Sequence, residues 1–155
     1  MWQRIQTLYL FLAICLNMAV FSIDLAELKF NELYNNFSIF GLTDADSGVQ
    51  LYSSVPLVIL CALSMLVSVI IIFMFKKRQL QIKLAQLNLF LQVGFVVAIF
   101  FMVEGAATSL PIDETPEIIY DAGAFLSIIP LLFLFLAIRS TKKDEALVRA
   151  ADRIR

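Results

Sequence analysis

Four long stretches without a charged residue restrict what this chain can fold into more than any other feature of its sequence. Their apolar cores are the ranges 5–23, 55–75, 84–103 and 122–138. A helix needs about 20 mainly apolar residues to cross roughly 30 Å of hydrocarbon. The last stretch is the shortest, so its span takes in residues from 118 onward. The sequence predicts four membrane-spanning helices, at about 5–23, 55–75, 84–103 and 118–138.

The composition agrees with lipid as the main solvent. Hydrophobic residues make up 61% of the chain and charged residues only 16%, with a mean hydropathy of +0.87. Soluble domains have about 45–50% apolar and about 25% charged residues. Four spans and their connections use nearly all of the 155 residues. We therefore predict a single membrane domain over 1–155, without a separate catalytic domain.

Lysine and arginine are concentrated on one side of the predicted membrane. Of the 12 basic residues, only Lys29 lies in a connection on the opposite side. Short cytoplasmic loops carry the excess of basic residues. This rule predicts that both termini are cytoplasmic and that the 24–54 loop lies outside. The weakly basic start favours a retained first span over a cleaved signal peptide.

The outer loop, 24–54, is too long for an unstructured connection. Residues 24–34 have the composition of a helical extension of the first span. The ranges 37–42 and 49–52 are rich in β-formers, and turn residues lie between them. We predict an all-α membrane protein: a four-helix transmembrane bundle with a small outer hairpin as a cap and a cytoplasmic C-terminal helix.

Helix-capping residues and a helix-breaking proline in the last quarter of the chain give two further expectations. Thr115, Pro116 and Glu117 are typical of an N-cap, a first helical position and an acid in the first turn. They predict a fourth span that begins outside the membrane. Pro130 lies within that span and cannot donate a backbone hydrogen bond, so a kink is expected there.

The tail, 139–155, has the composition of a helix with six basic and three acidic residues. A narrow apolar stripe runs along it. Three interpretations are open: a solvated extension of the last span, a docking helix for a cytoplasmic protein, and a helix on anionic headgroups. The candidate docking residues are Leu147, Arg149, Ala151, Arg153 and Ile154.

Polar residues within the spans are the first candidates for function. They are all neutral, and they include Asn17, Ser64, Ser68, Asn88 and Gln92. Asn17 and Gln92 lie at similar depths, so they are candidates for a hydrogen bond between helices. Such bonds hold membrane bundles together, at roughly 0.6–2 kcal/mol each. The alternative function for these residues is a polar transport path.

Small residues mark candidate points of close helix approach. Gly123 and Ser127 have small-xxx-small spacing in the fourth span, and Gly94 lies in the third. They are expected to pack within the bundle or against another membrane subunit.

The sequence offers little for catalysis. It has no histidine, and Cys15 and Cys61 lie inside apolar runs. Glu104 and Asp121 lie at the outer ends of the third and fourth predicted spans. They are the candidate acid–base pair, although the positive N-terminal end of a helix also explains an aspartate at position 121. We therefore predict no catalytic, cofactor or metal site. The net charge of −1 gives no indication of a nucleic-acid partner.

Both ends of the chain resemble a known family. The segments MWQRIQTLYL at 1–10 and KDEALVRAADRIR at 143–155 are similar to the ends of short four-span inner-membrane proteins of Bacteroidota, the domain of unknown function 4293. The resemblance covers the full length. It implies a bacterial inner membrane and a periplasmic outer loop, but no activity and no site residues.

The sequence is compatible with three functions. The first is a non-catalytic accessory or scaffold subunit of a membrane complex, whose partner in the membrane or cytoplasm binds the C-terminal helix. The second is a small transporter or channel subunit that uses Asn17, Asn88 and Gln92. The third is an intramembrane enzyme with Glu104 and Asp121. A homo-oligomer is compatible with each of them.

Overall fold

The computed structural model describes residues 3–30, 33–44, 48–74, 77–109 and 116–153. Within these ranges the chain forms five helices and five strands. The helices are α1 (Gln3–Val20), α2 (Val55–Phe73), α3 (Arg78–Ser109), α4 (Ala122–Leu126) and α5 (Ile129–Arg153). The strands are β1 (Ala26–Phe30), β2 (Leu33–Ser38), β3 (Gly41–Asp44), β4 (Gln50–Ser53) and β5 (Glu117–Tyr120).

Three helical stretches in the described part of the chain are long and apolar enough to cross a membrane. They are Val55–Phe73, Arg78–Ser109 and Ala122–Val148. The apolar part of α1, Ile5–Val20, is shorter. α1 packs against α2 and α5, and α3 packs against the same two helices. The chain is thus a membrane protein by the length and composition of its helices.

The expectation of an all-α fold is wrong, because the loop forms a sheet. Five antiparallel strands pair in the order β4-β3-β2-β1-β5. The predicted hairpin is correct only in part: β3 and β4 pair across its turn, but the expected strand at 37–42 is divided by a turn at residues 39–40 between β2 and β3. Residues 26–30, expected as a helical extension of the first span, form β1. The physical reason is an alternation of side chains: Ala26 and Leu28 are fully buried, whereas Glu27 and Lys29 lie on the other face.

The start of the last span is also different from the prediction. Residues 118–120 belong to β5, which pairs with β1, so they are not helical. The helix begins at Ala122, and the Asp121 carboxylate accepts a hydrogen bond from the Ala122 N–H at 2.8 Å. The N-cap of this helix is therefore Asp121. The predicted N-cap, Thr115, lies outside the described residues. Pro116 and Glu117 are typical of a helix start, but pairing of β5 with the distant strand β1 makes residues 117–120 a strand instead.

The predicted kink at Pro130 is confirmed as an interruption between two helices. α4 ends at Leu126, a turn follows at Ser127 and Ile128, and α5 begins at Ile129. Proline is well tolerated in the first turn of a helix, where its missing N–H is not needed. The predicted C-terminal helix is continuous with this last membrane helix to Arg153.

The sheet packs across one end of the helices. Its inner face carries Leu28, Phe37 and Leu42, which join Phe95 and Ile99 of α3 in one hydrophobic cluster. A second hydrophobic cluster lies further along the helices and includes Leu10, Val67, Ile71, Ala85 and Leu134. Along each of α1, α2 and α3, polar residues separate the two clusters. This separation locates the candidate site.

Candidate functional site

Gln92 lies at the centre of a layer of neutral polar side chains inside the bundle. It is fully buried, and Asn17 of α1 is 1% exposed. The two amides form a reciprocal pair: Asn17 Nδ2 donates to Gln92 Oε1, and Gln92 Nε2 donates to Asn17 Oδ1, both at 3.1 Å. The sequence singled out both residues from their depth, and the structure brings them into direct contact.

Gln92 reaches two further parts of the chain. Its Oε1 also accepts from Ser64 Oγ of α2 at 2.9 Å, and its Nε2 also donates to the Ser127 carbonyl at 3.1 Å. An amide side chain has two donors and two acceptor positions, so its hydrogen-bonding capacity is filled. A single side chain therefore connects α1, α2 and α3 with the turn between α4 and α5.

Asn88 and Ser68 complete this group, which we call the polar layer: Asn17, Ser64, Ser68, Asn88 and Gln92. Asn88 Nδ2 donates to Ser68 Oγ at 2.6 Å. Asn88 Oδ1 is buried and has no hydrogen-bond partner among the described residues. The polar layer thus contains one acceptor that is free to bind a donor.

Gln81 belongs to the same face of α3 but was missed by the sequence analysis. It is 5% exposed, and its Nε2 donates to the Ile71 carbonyl at 3.0 Å, near the end of α2. The predicted third span begins at residue 84, whereas α3 begins at Arg78, so Gln81 lies outside the predicted span. The seven-residue spacing from Gln81 to Asn88 was the available signal, since residues two turns apart share a helix face.

The three small residues behave differently from one another. A Cβ on Gly123 would meet the carbonyl oxygen of Asp24, so this glycine permits close contact with the chain that follows α1. Ser127 is fully buried and donates to the Ala124 carbonyl at 2.6 Å. Gly94 was expected to be a point of close helix approach, but an added Cβ there would meet no described atom within 4 Å. It therefore does not pack against another helix of the described chain. Its face of α3 points outward.

The two candidate catalytic carboxylates lie at the sheet end of the bundle. Asp121 caps α4, and Glu104 is exposed near the end of α3. Burial raises the pKa of Tyr120, and the negative charge of Glu104 raises it further. The Tyr120 ring also packs on Phe100 of α3, with centroids 5.0 Å apart. This part of the chain joins the sheet to the helices.

Asp121 gives a prediction that separates capping from acid–base chemistry. Asp121→Asn is expected to leave the thermal unfolding midpoint nearly unchanged, because asparagine is an equally good N-cap. Asp121→Ala is expected to cost about 1 kcal/mol, since the Ala122 N–H then loses its acceptor. Thermal unfolding in neutral detergent measures both. If Asp121→Asn is the more damaging change, the carboxylate charge has another role.

The candidate docking residues of the tail are only partly described. Leu147 is 54% exposed and Val148 is 43% exposed on α5. The side chains of Arg149, Ala151 and Arg153 and the whole of Ile154 lie outside what the structure describes. The exposed pair shows that at least two apolar side chains of this charged helix have no cover within the described chain.

The described residues contain no group of three or more His, Cys, Asp or Glu side chains that could hold a metal. The polar layer itself consists of neutral amides and hydroxyls, which bind and orient without carrying charge.

No curated protein matches the chain. The model of one family, described as "Domain of unknown function (DUF4293)", matches residues 2–154. The chain belongs to this family, since the match covers almost its whole length.

Proposed function

We propose that the protein is a non-catalytic accessory or scaffold subunit of a bacterial inner-membrane complex, and that the end of α5 binds the partner. The observation that carries this proposal is the exposure of Leu147, 54%, and Val148, 43%, in the charged C-terminal part of α5, residues 139–153. Exposed apolar side chains on a polar helix are typical anchors for a partner's groove.

The proposed orientation follows from the basic residues. α1 crosses as a fourth span: its 18 residues extend about 27 Å at 1.5 Å each. Both termini and the connection between α2 and α3 then lie in the cytoplasm, and the sheet lies in the periplasm. Leu147 is nine residues beyond Ile138, so it lies roughly 13 Å past the end of the last apolar stretch. This distance places it beyond a headgroup layer of roughly 5–8 Å and within reach of a cytoplasmic surface.

The polar layer supports a scaffold more than a catalyst. Gln92 fills its hydrogen-bonding capacity with groups of the same chain. Polar residues in membrane helices that are satisfied internally hold the helices in place. The outward faces of the spans, by contrast, are apolar, with exposed Phe73, Phe90 and Phe101. These faces suit lipid or a second membrane subunit.

Crosslinking in intact cells tests the docking role. A photo-crosslinking amino acid at Leu147 is expected to give a discrete adduct with one partner, while the same group at the exposed Lys142 gives little or none. The adduct at 147 is expected to persist through mild-detergent extraction. Equal diffuse labelling at both positions, together with a monomeric extracted protein, would contradict the proposal.

A small transporter or channel subunit is the second candidate. It is favoured by the unpartnered acceptor Asn88 Oδ1, which is buried within the polar layer. Proteoliposome swelling with urea and glycerol would measure permeation of small neutral donors. Permeation that Asn88→Leu abolishes, in a protein that still folds, would favour this function over the accessory role.

A further inference from the structure

A positively lined cavity lies where α2 is connected to α3. Its volume is about 410 Å³, and it is lined by Lys77, Arg78, Gln79 and Leu80. Small-molecule sites have volumes of roughly 300–1,000 Å³. Lys77 and Arg78 give this lining two positive charges. The cavity is at the end of two membrane-spanning helices, which is the level of the lipid headgroups.

Arg78 has a buried nitrogen without an acceptor. Its Nη1 atom is inaccessible, yet it has no hydrogen-bond partner among the described residues. A buried N–H of a charged group is costly when it has no acceptor. A guanidinium is a planar fork of donors that matches the oxygens of a carboxylate or a phosphate. Arg78 therefore has a donor that no described residue uses, next to the cavity that this residue lines.

The neighbouring sequence supplies no carboxylate to this donor. Between Asp46 and Glu104 the chain has four basic residues and no aspartate or glutamate. The whole of α2 and most of α3 are thus free of carboxylates. Arg78 is also the first residue of a 32-residue helix, whose positive end adds to the attraction of the two side chains.

We propose that this cavity binds a phosphoryl group, with Arg78 as the forked donor and Lys77 as a second point charge. The group is supplied by an anionic lipid headgroup or by a soluble phosphate. Arginine prefers phosphate oxygens for their bidentate geometry, and lysine adds charge without fixed direction. This site does not depend on the docking role proposed for α5.

Thermal unfolding of the purified full chain in neutral detergent tests the site. The probes are phosphatidylglycerol, phosphatidylcholine and inorganic phosphate. Phosphatidylglycerol is expected to raise the midpoint and phosphatidylcholine is not. Stabilisation by phosphatidylglycerol alone assigns the phosphoryl group to a lipid, and stabilisation by inorganic phosphate assigns it to a soluble compound. If neither anion stabilises more than phosphatidylcholine does, the proposal is overturned.

Three variants separate a built site from general attraction to positive charge. Arg78→Gln is expected to weaken phosphatidylglycerol binding about tenfold, since a charge-assisted hydrogen bond has at least that effect. Lys77→Gln is expected to weaken it less, and it provides the readout if Arg78→Gln does not fold. Lys83→Gln is the matched control, because Lys83 is exposed on α3 and does not line the cavity. An equal loss in Lys83→Gln would overturn the proposal.

Discussion

Gln92→Leu is expected to lower the free energy of unfolding by about 3 kcal/mol, the larger of two stability effects that we predict. The change leaves the Asn17 amide and the Ser64 hydroxyl without their partner, and both are at most 1% exposed. Interhelical hydrogen bonds in membranes contribute roughly 0.6–2 kcal/mol each, and Gln92 makes several. The leucine itself is compatible with the apolar surroundings, so the loss comes from the polar groups left unpaired.

Reversible unfolding in neutral detergent with increasing SDS, followed by far-UV circular dichroism, measures this loss. Gln86→Leu is the matched control, because Gln86 is on the same helix but exposed. Its effect is expected to be within about 0.5 kcal/mol of zero. If the two variants unfold at the same SDS fraction, the polar layer does not hold the helices together.

Gly123→Ala is expected to cost about 2–3 kcal/mol, because the added methyl group would collide with backbone rather than with a movable side chain. Its Cβ would meet the Asp24 carbonyl oxygen, and the Gly123 N–H donates to the same oxygen at 3.2 Å. The chain after α1 would have to move away from α4. That movement would also disturb Leu25, whose carbonyl accepts from the Asp121 N–H at 3.0 Å.

Gly94→Ala is the control for this second effect. It adds the same methyl group at a helical glycine where the described structure has open space. Alanine favours a helix over glycine by about 0.5–1 kcal/mol, so this variant is expected to be neutral or slightly more stable. The same SDS unfolding measurement applies to both glycines. A loss at Gly94 equal to that at Gly123 would show that collision with the Asp24 carbonyl does not explain the effect at Gly123.

The long apolar helices could be predicted because their cause is local. Each consists of about 20 neighbouring residues whose side chains favour lipid over water, and no distant partner is needed to satisfy the backbone. The predicted second and third spans, 55–75 and 84–103, correspond to α2 and α3. α3 extends further in both directions, to Arg78 and Ser109. At its first end the added residues include Gln79 and Gln81, which are polar but helix-forming.

The sheet could not be predicted in full, since strands depend on partners far away in the chain. Residues 26–30 and 117–120 are separated by two membrane helices, yet they pair residue by residue from Ala26 with Tyr120 to Lys29 with Glu117. Each segment alone is short and has ambiguous periodicity. Only the folded bundle brings them to the same end, where pairing satisfies their backbone groups and buries Leu28.

The sequence by itself determined that most of the chain favours lipid over water and that the polar residues within its spans are neutral, because both properties belong to the side chains themselves. It also placed Asn17 and Gln92 at matching depths. The tertiary structure alone decided that Gln92 joins four parts of the chain, that Gly123 is close to backbone while Gly94 faces outward, and that β5 completes a sheet. These outcomes depend on the rotation and separation of helices, which packing sets after each helix has formed.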